Sequence, residues 1–449
     1  MAFDMKNSNS RRRPTGPLLM LELNEVNVED VIKYANSGHL PNFSRFFAEN
    51  GYSTTSSEAE YDHLEPWIQW VTAHTGRDFA EHGVFRLGDI INLDIPQIWE
   101  QLEAQGLTVG AISPMNAKYR LDNPAFFVPD PWTRTDVVAP GVLRRLYEAI
   151  AEAVNENANS TFGAKAALNL AVGGLAYARP ANYARYLRLV AQAKLRPWAK
   201  ALFLDLLLSD VFIRCMRAKR PDFASLFLNA GAHIQHHYMY SSGVYEGAFR
   251  NPDWYVPKGV DPLLDVYSLY DGILGDVRAA FPNIRIMLAT GLHQEPHTEL
   301  TYYWRLKDHA DFLRRIGAHF ETVEPRMSRD FLVVCRDAEQ AKATQATLEA
   351  VGTPDGTALF EVDNRGADLF VMLTWSDDIP GDVVFGAGGR SFGPLRPHVA
   401  FVAIKNGRHN GIGYFSDSGA PTGQGTEQFP LKDMPQLVSR ALGVAATLP

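Results

Sequence analysis

Four short, largely apolar runs, at 17–23, 223–228, 284–289 and 399–404, each break into polar residues able to carry chemistry. Runs of this length without strict alternation suit strands buried on both faces of a parallel sheet. Such a sheet presents its functional residues just beyond the carboxyl ends of its strands. The first run breaks into Asn24 and Glu25. The second leads into Asn229-Ala-Gly-Ala-His233-Ile-Gln-His236-His237, the third into Gly291-Leu-His293-Gln-Glu295-Pro-His297, and the fourth into Asn406-Gly-Arg408-His409-Asn-Gly411. Helical periodicity fills the intervals at 26–35, 41–48, 95–105, 263–281 and 433–442, and a further strand is expected at 108–113. An α/β fold follows, with a site assembled from strand ends far apart in sequence.

A chain of 449 residues calls for one large core with elaborations, or two to three units. Residues 1–16 read as a polar, flexible tail and 17–138 as the first part of the α/β core. Residues 139–220 are helical throughout, an insertion or cap, and 221–324 return to the core. The segment 325–384 reads strand, helix, strand, strand (331–335, 338–350, 358–362, 369–373), a small α+β module for which a lid and a dimer contact both stay open. Residues 385–449 complete the core. The most lipid-like stretch, 201–213, is interrupted by Asp205 and Asp210 and is too short to span a bilayer. It reads as a helix buried by other helices, with a peripheral membrane contact suggested by Lys194, Arg196 and Lys200 just before it.

Hydrophobic residues at 46% and charged residues at 21% are ordinary for a folded protein. A net charge of −8 points away from nucleic acid, whose binders need a basic surface. Cys215 and Cys335 lie too far apart for a metal or redox motif, and such sparse usage suits a cytoplasmic location. There is no Gly-x-Gly-x-x-Gly, phosphate loop, His-Glu-x-x-His or Gly-x-Ser-x-Gly.

Histidine carries the information. His233 reads as a ligand or catalytic residue, while His236 and His237, being adjacent, cannot point the same way. His293, Glu295 and His297 face one side if their stretch is extended. His409 sits among glycines that permit close backbone approach. Carboxylates cluster at Glu22 and Glu25, and again from Glu58 to Glu65 around Asp62 and His63. Gln69, Thr72, His74 and Thr75 punctuate an apolar stretch, where polar groups must be hydrogen-bonded. Spacing alone leaves a metal cage and a solvated loop both open.

The order of these segments resembles the alkaline phosphatase superfamily, in its type I phosphodiesterase/nucleotide pyrophosphatase branch. The stretch 18–23 with Glu22, then Leu40-Pro41-Asn42-Phe43, resembles the family's first strand, its metal carboxylate and the helix after it. Val71-Thr72-Ala73-His74-Thr75-Gly76 with Glu81-His82-Gly83 resembles the helix that starts at the nucleophile. Asn229-Ala-Gly-Ala-His233 resembles a metal motif, Thr290 to His293 stands where Asp-His-Gly is expected, and His409-Asn-Gly411 resembles the last metal histidine. The likeness covers about 17–130, 220–310 and 385–445.

That resemblance implies an alkaline-phosphatase-like three-layer sandwich with a mainly parallel central sheet. It implies a divalent metal, zinc or manganese, on Glu22, Asn229, His233, His293 and His409. The family's nucleophilic Thr or Ser is replaced near Glu65-Pro66, which leaves Glu65 either a general base or a metal ligand in place of a lost one, with His293 as a second catalytic group. Substrate contacts are expected from His74, His236, Glu295, His297 and Arg408. The implied substrate is a phosphodiester or related phosphate or sulfate ester, as a small molecule or linked to a glycan or lipid, with the helical block covering the cleft. A homodimer is a further expectation. The alternative is an inactive relative that binds a phosphorylated or glycosylated ligand.

Overall fold

A computed structural model describes residues 16–155, 163–326 and 328–445. The strands are β1 (Leu18–Leu23), β2 (Tyr52–Ser56), β3 (Val109–Ile112), β4 (Phe126–Val128), β5 (Phe223–Leu228), β6 (Arg285–Ala289), β7 (His293–Leu306) and β8 (Thr322–Pro325). There follow β9 (Asp330–Val334), β10 (Phe360–Asn364), β11 (Asp368–Leu373), β12 (Val384–Ala387), β13 (Arg390–Pro394), β14 (Val399–Asn410), β15 (Ile412–Asp417) and β16 (Gln424–Pro430). Eight of them form the central sheet in the order β16-β2-β15-β6-β1-β5-β3-β4. β1 lies at its middle, parallel to β5 and β6, and β15 runs antiparallel to both its neighbours.

Strand parity divides β1 between two cores. Leu19, Leu21 and Leu23 face one layer, where the helices Pro41–Asn50, Ala199–Lys219 and Pro262–Ala280 contribute Phe43, Leu206 and Tyr267. Leu18 and Met20 face the other, built on Trp70, Trp99 and Met434 from the helices Pro66–Thr75, Ile98–Ala104 and Met434–Ala441. Helices cover both faces, as a largely parallel sheet requires.

The segment expected to be helical holds Gly141–Asn155, Ala164–Tyr177, Tyr183–Gln192 and Ala199–Lys219. Asp205 and Asp210, which interrupt its most apolar stretch, are buried and fully used. Asp205 Oδ2 accepts from the Ala230 amide and the Tyr270 hydroxyl at 2.8 and 2.7 Å. Asp210 accepts from the Arg179 amide, Asn182 and Tyr186. No helix among the described residues is long and apolar enough to cross a membrane.

The α+β module is a four-stranded sheet, β10-β11-β9-β8, carrying the helix Ala338–Glu349. Its core reaches beyond 325–384, to Trp304, Phe312, Leu395 and Ile404. The cause is the long antiparallel ribbon of β7 and β14. One end of that ribbon packs into the module. The other end pairs His293 with Asn410, Gln294 with His409 and Glu295 with Arg408, beside the end of β1. Residues 293–297 are therefore extended, as the start of β7, and the run at 399–404 continues to Asn410.

Candidate metal centre

At the end of β1 the backbone of Glu25 turns into the left-handed region, with φ of 59°. A residue with a Cβ pays roughly 1–2 kcal/mol there, so the surroundings must hold it. The Glu25 amide donates to Thr290 O at 3.1 Å, and its carbonyl accepts from the Gln294 amide at 3.1 Å and Gln235 Nε2 at 2.7 Å. This turn aims the carboxylate across the sheet edge toward two histidines from other elements.

The first is His236. The helix Ala230–Tyr238 starts directly behind β5, with its leading amides bonded to Asp205. Its geometry puts His233 and His237 on one side, rings 5.0 Å apart, and turns His236 to another. The second is His409, near the end of β14. His236 Nε2 and His409 Nε2 each lie 3.1 Å from Glu25 Oε2, and 3.2 Å from one another. Gln294 Nε2 also donates to Glu25 Oε2, and Asn24 Nδ2 donates to Oε1 at 3.1 Å. Asn24 is itself held by Trp70 Nε1 at 2.7 Å. Gly407 makes room for this network, because a Cβ there would collide with Gln294 Oε1.

Burial works to raise the carboxyl pKa of Glu25, but the charges of His409 and His236 outweigh it and hold the group well below the usual carboxylate range. Burial likewise works against the His409 imidazolium, and Glu25 with Glu65 outweighs it, so the His409 pKa is raised. The donor set fits a divalent cation. Two imidazole nitrogens and one carboxylate oxygen are ligand types that zinc takes, and the amides of Asn24 and Gln294 orient the carboxylate as outer-shell groups do around metal ligands. His236 is 31% exposed, so the cluster opens to solvent on that side.

Glu65 stands on the far side of His409. It is the residue preceding the helix Pro66–Thr75, and its Oε2 lies 3.7 Å from His409 Nδ1. Burial pushes its carboxyl up to about 7, against the pull of His409.

Other expected site residues lie elsewhere. Glu22, on β1, points into the layer of Trp70 and Trp99, where Oε1 meets His74 Nε2 at 3.1 Å. Both side chains are 1% exposed, so strand parity removes Glu22 from the cluster and burial removes His74 from contact with substrate. Asn229 accepts from Asn24 at 2.8 Å. His233 is exposed and faces His237 rather than Glu25. His293 Nδ1 bonds the carbonyl of Ile412 at 2.5 Å, and with Glu295 it lines a separate cleft of about 470 Å³ beside Asn27 and Lys33. Glu295 pairs with Arg408 at 2.5 Å and accepts from Asn410. His297 Nδ1 accepts from the Glu299 amide. In the sequence Glu25 stands out only as a carboxylate near the end of the first strand, marked by the break at Asn24, and nothing local marks Gln294 or Gln235.

No family model matches this chain, and no curated protein matches it. Solved structures do. Phosphonoacetate hydrolase from Sinorhizobium meliloti 1021, in complex with phosphonoacetate, is similar over 97% of this chain and 98% of its own, at 12% identity and a TM-score of 0.42. Human ectonucleotide pyrophosphatase/phosphodiesterase 5 is similar over 96% of each chain, at 11% identity and a TM-score of 0.43. The murine protein is similar over the same shares at 11% identity, with a TM-score of 0.39.

Proposed function

We propose that this chain hydrolyses a phosphodiester or a related phosphate or sulfate ester at a divalent-metal centre on Glu25, His236 and His409, with Glu65 as the proton acceptor. The observation that carries this reading is the meeting of these three side chains, their ligand atoms all within 4.8 Å of one another, at the carboxyl edge of a parallel sheet. A bound divalent ion such as zinc or manganese would polarise the ester and make water a better nucleophile at neutral pH. Glu65, titrating near neutrality, takes the proton of the attacking water at Oε2. Glu65 and Pro66 occupy the start of the helix where a hydroxyl nucleophile would stand, so in this reading water attacks the ester directly. Arg408 directly precedes His409 in the ribbon, and its side chain, 40% exposed and paired with Glu295, is the cation offered to an anionic substrate in exchange for Glu295. Cys215 and Cys335 are buried free thiols, which suits the cytoplasmic setting included in this proposal.

A second reading, a silent relative that binds a phosphorylated ligand, is favoured by one feature. Asn24, Gln235 and Gln294 surround Glu25 with amides, which leaves one carboxylate in the cluster and a single firm metal position. The test is hydrolysis of bis(4-nitrophenyl) phosphate, 4-nitrophenyl phosphate and 4-nitrophenyl sulfate after metal removal and reloading with zinc or manganese. Metal-dependent turnover that disappears in His409→Ala supports the hydrolase. Metal binding with no turnover of any ester supports the silent binder.

A further inference from the structure

The helix Ala164–Tyr177 reads AKAALNLAVGGLAY, apolar around nearly its whole circumference. Such a helix is normally buried on every side. One side does pack, through Ala166 and Gly173, against the helices Gly141–Asn155 and Ala199–Lys219. The other stands in solvent: Leu168 is 63% exposed, Val172 43% and Leu175 78%, spaced to form one stripe. Tyr183, Leu187 and Val190 repeat this on the helix Tyr183–Gln192, and Leu195 follows. Seven of the eleven large apolar side chains exposed among the described residues fall between 168 and 195. These two helices each pack on the helix Ala199–Lys219, and the concentration of exposed apolar side chains on them is unlike the scatter of an ordinary surface.

Charge says what covers this face. From 164 to 200 the chain carries Lys165, Arg179, Arg185, Arg188, Lys194, Arg196 and Lys200 and no acidic residue, although its net charge is −8. Arg179, Arg185 and Arg196 are engaged by Asp210, Asp276 and Asp265. Lys165, Arg188, Lys194 and Lys200 are exposed and make no ion pair with a described residue. We propose that the outer face of these two helices docks on an anionic phospholipid surface, its apolar side chains entering the acyl boundary and its free cations meeting the headgroup phosphates. A second copy of the chain suits the face poorly, since a symmetric contact would set these cations against their own copies. The helix Ala199–Lys219, expected from sequence to be buried by other helices, does bury Leu206, Leu207 and Phe212 in the core, and the basic residues before it edge the docking face.

Flotation of the full chain with vesicles tests this, using phosphatidylcholine alone or mixed with phosphatidylglycerol. The wild type is expected to float with the mixed vesicles and to be released by salt. Each of Lys165→Glu, Arg188→Glu and Lys194→Glu should weaken binding at least roughly fivefold. The triple variant Leu168→Ser, Val172→Ser, Leu175→Ser should abolish it while leaving the circular dichroism and melting temperature unchanged, because all three side chains are exposed. Wild-type protein that stays unbound at low salt, or variants that float as well as it does, would overturn the proposal. So would a solution dimer that Leu175→Asp dissociates, which would assign the face to a second copy.

Discussion

His236 and His409 present the same ring nitrogen, Nε2, to one another across 3.2 Å, each 3.1 Å from a single oxygen of Glu25. Two imidazoles cannot both donate along that line, so a proton on either Nε2 has the other ring or the carboxylate as its acceptor. Ligand atoms about 2.0–2.1 Å from a tetrahedral ion lie roughly 3.3 Å apart, close to the edges of this triangle. The arrangement thus holds a proton or a metal, and the two compete.

That competition sets the pH dependence of metal binding. The His409 pKa is raised, so below it an incoming ion must displace a proton, and affinity should climb by roughly tenfold per pH unit before levelling off above it. Calorimetric titration of zinc into the metal-free chain across the range checks this, with proton release measured in two buffers. Affinity indifferent to pH would mean that His409 is not a ligand.

Glu65 should govern the rate without governing the metal. Its carboxyl is pushed up to about 7, so turnover should rise as pH passes that point and the base loses its proton. Glu65→Gln should lower kcat about 100- to 10,000-fold and flatten this limb while metal content stays as in the wild type. A variant that keeps the wild-type profile would assign the proton transfer to another group.

Gly407 is needed for space rather than for an unusual backbone angle. Gly407→Ala drives a methyl group into Gln294, which releases the Glu25 carboxylate from its donor. Loss of an outer-shell partner of this kind typically costs about 10- to 100-fold in metal affinity, and Gln294→Ala should reproduce the loss. Unchanged affinity in both variants would show that Gln294 does not orient Glu25.

His74 should matter for stability alone. His74→Ala leaves Glu22 buried with neither oxygen partnered, since Oε2 has no hydrogen bond already. Leaving a buried polar group without its partner costs about 1–3 kcal/mol. Urea unfolding should show that loss, with metal stoichiometry unaltered. A small change would mean that water reaches Glu22 in the variant.

The central strands are legible in the sequence because a parallel strand buried on both faces is apolar throughout, as β1, β5 and β6 are. β7 is not, since its polar start, His293-Gln294-Glu295, pairs only with β14 in a ribbon outside the main sheet. The helix Ala230–Tyr238 is hidden for another reason: Gly231 and a run of histidines give weak local preference, and its start is secured by Asp205 from another helix. The same split runs through the site. His409 stands out among glycines. Glu22 draws attention by its place in the strand, yet parity turns it inward, while Glu25 reaches the site through a left-handed turn held by Thr290, Gln294 and Gln235, contacts invisible in the local sequence.

The most direct measurement is the metal content of the wild type, Glu25→Gln and Glu22→Gln, each purified without chelator or affinity metal and then equilibrated with zinc. About one equivalent in the wild type, kept in Glu22→Gln and lost in Glu25→Gln, is the result this account predicts. Metal retained by Glu25→Gln, or lost on substitution of Glu22 alone in a folded protein, would contradict it.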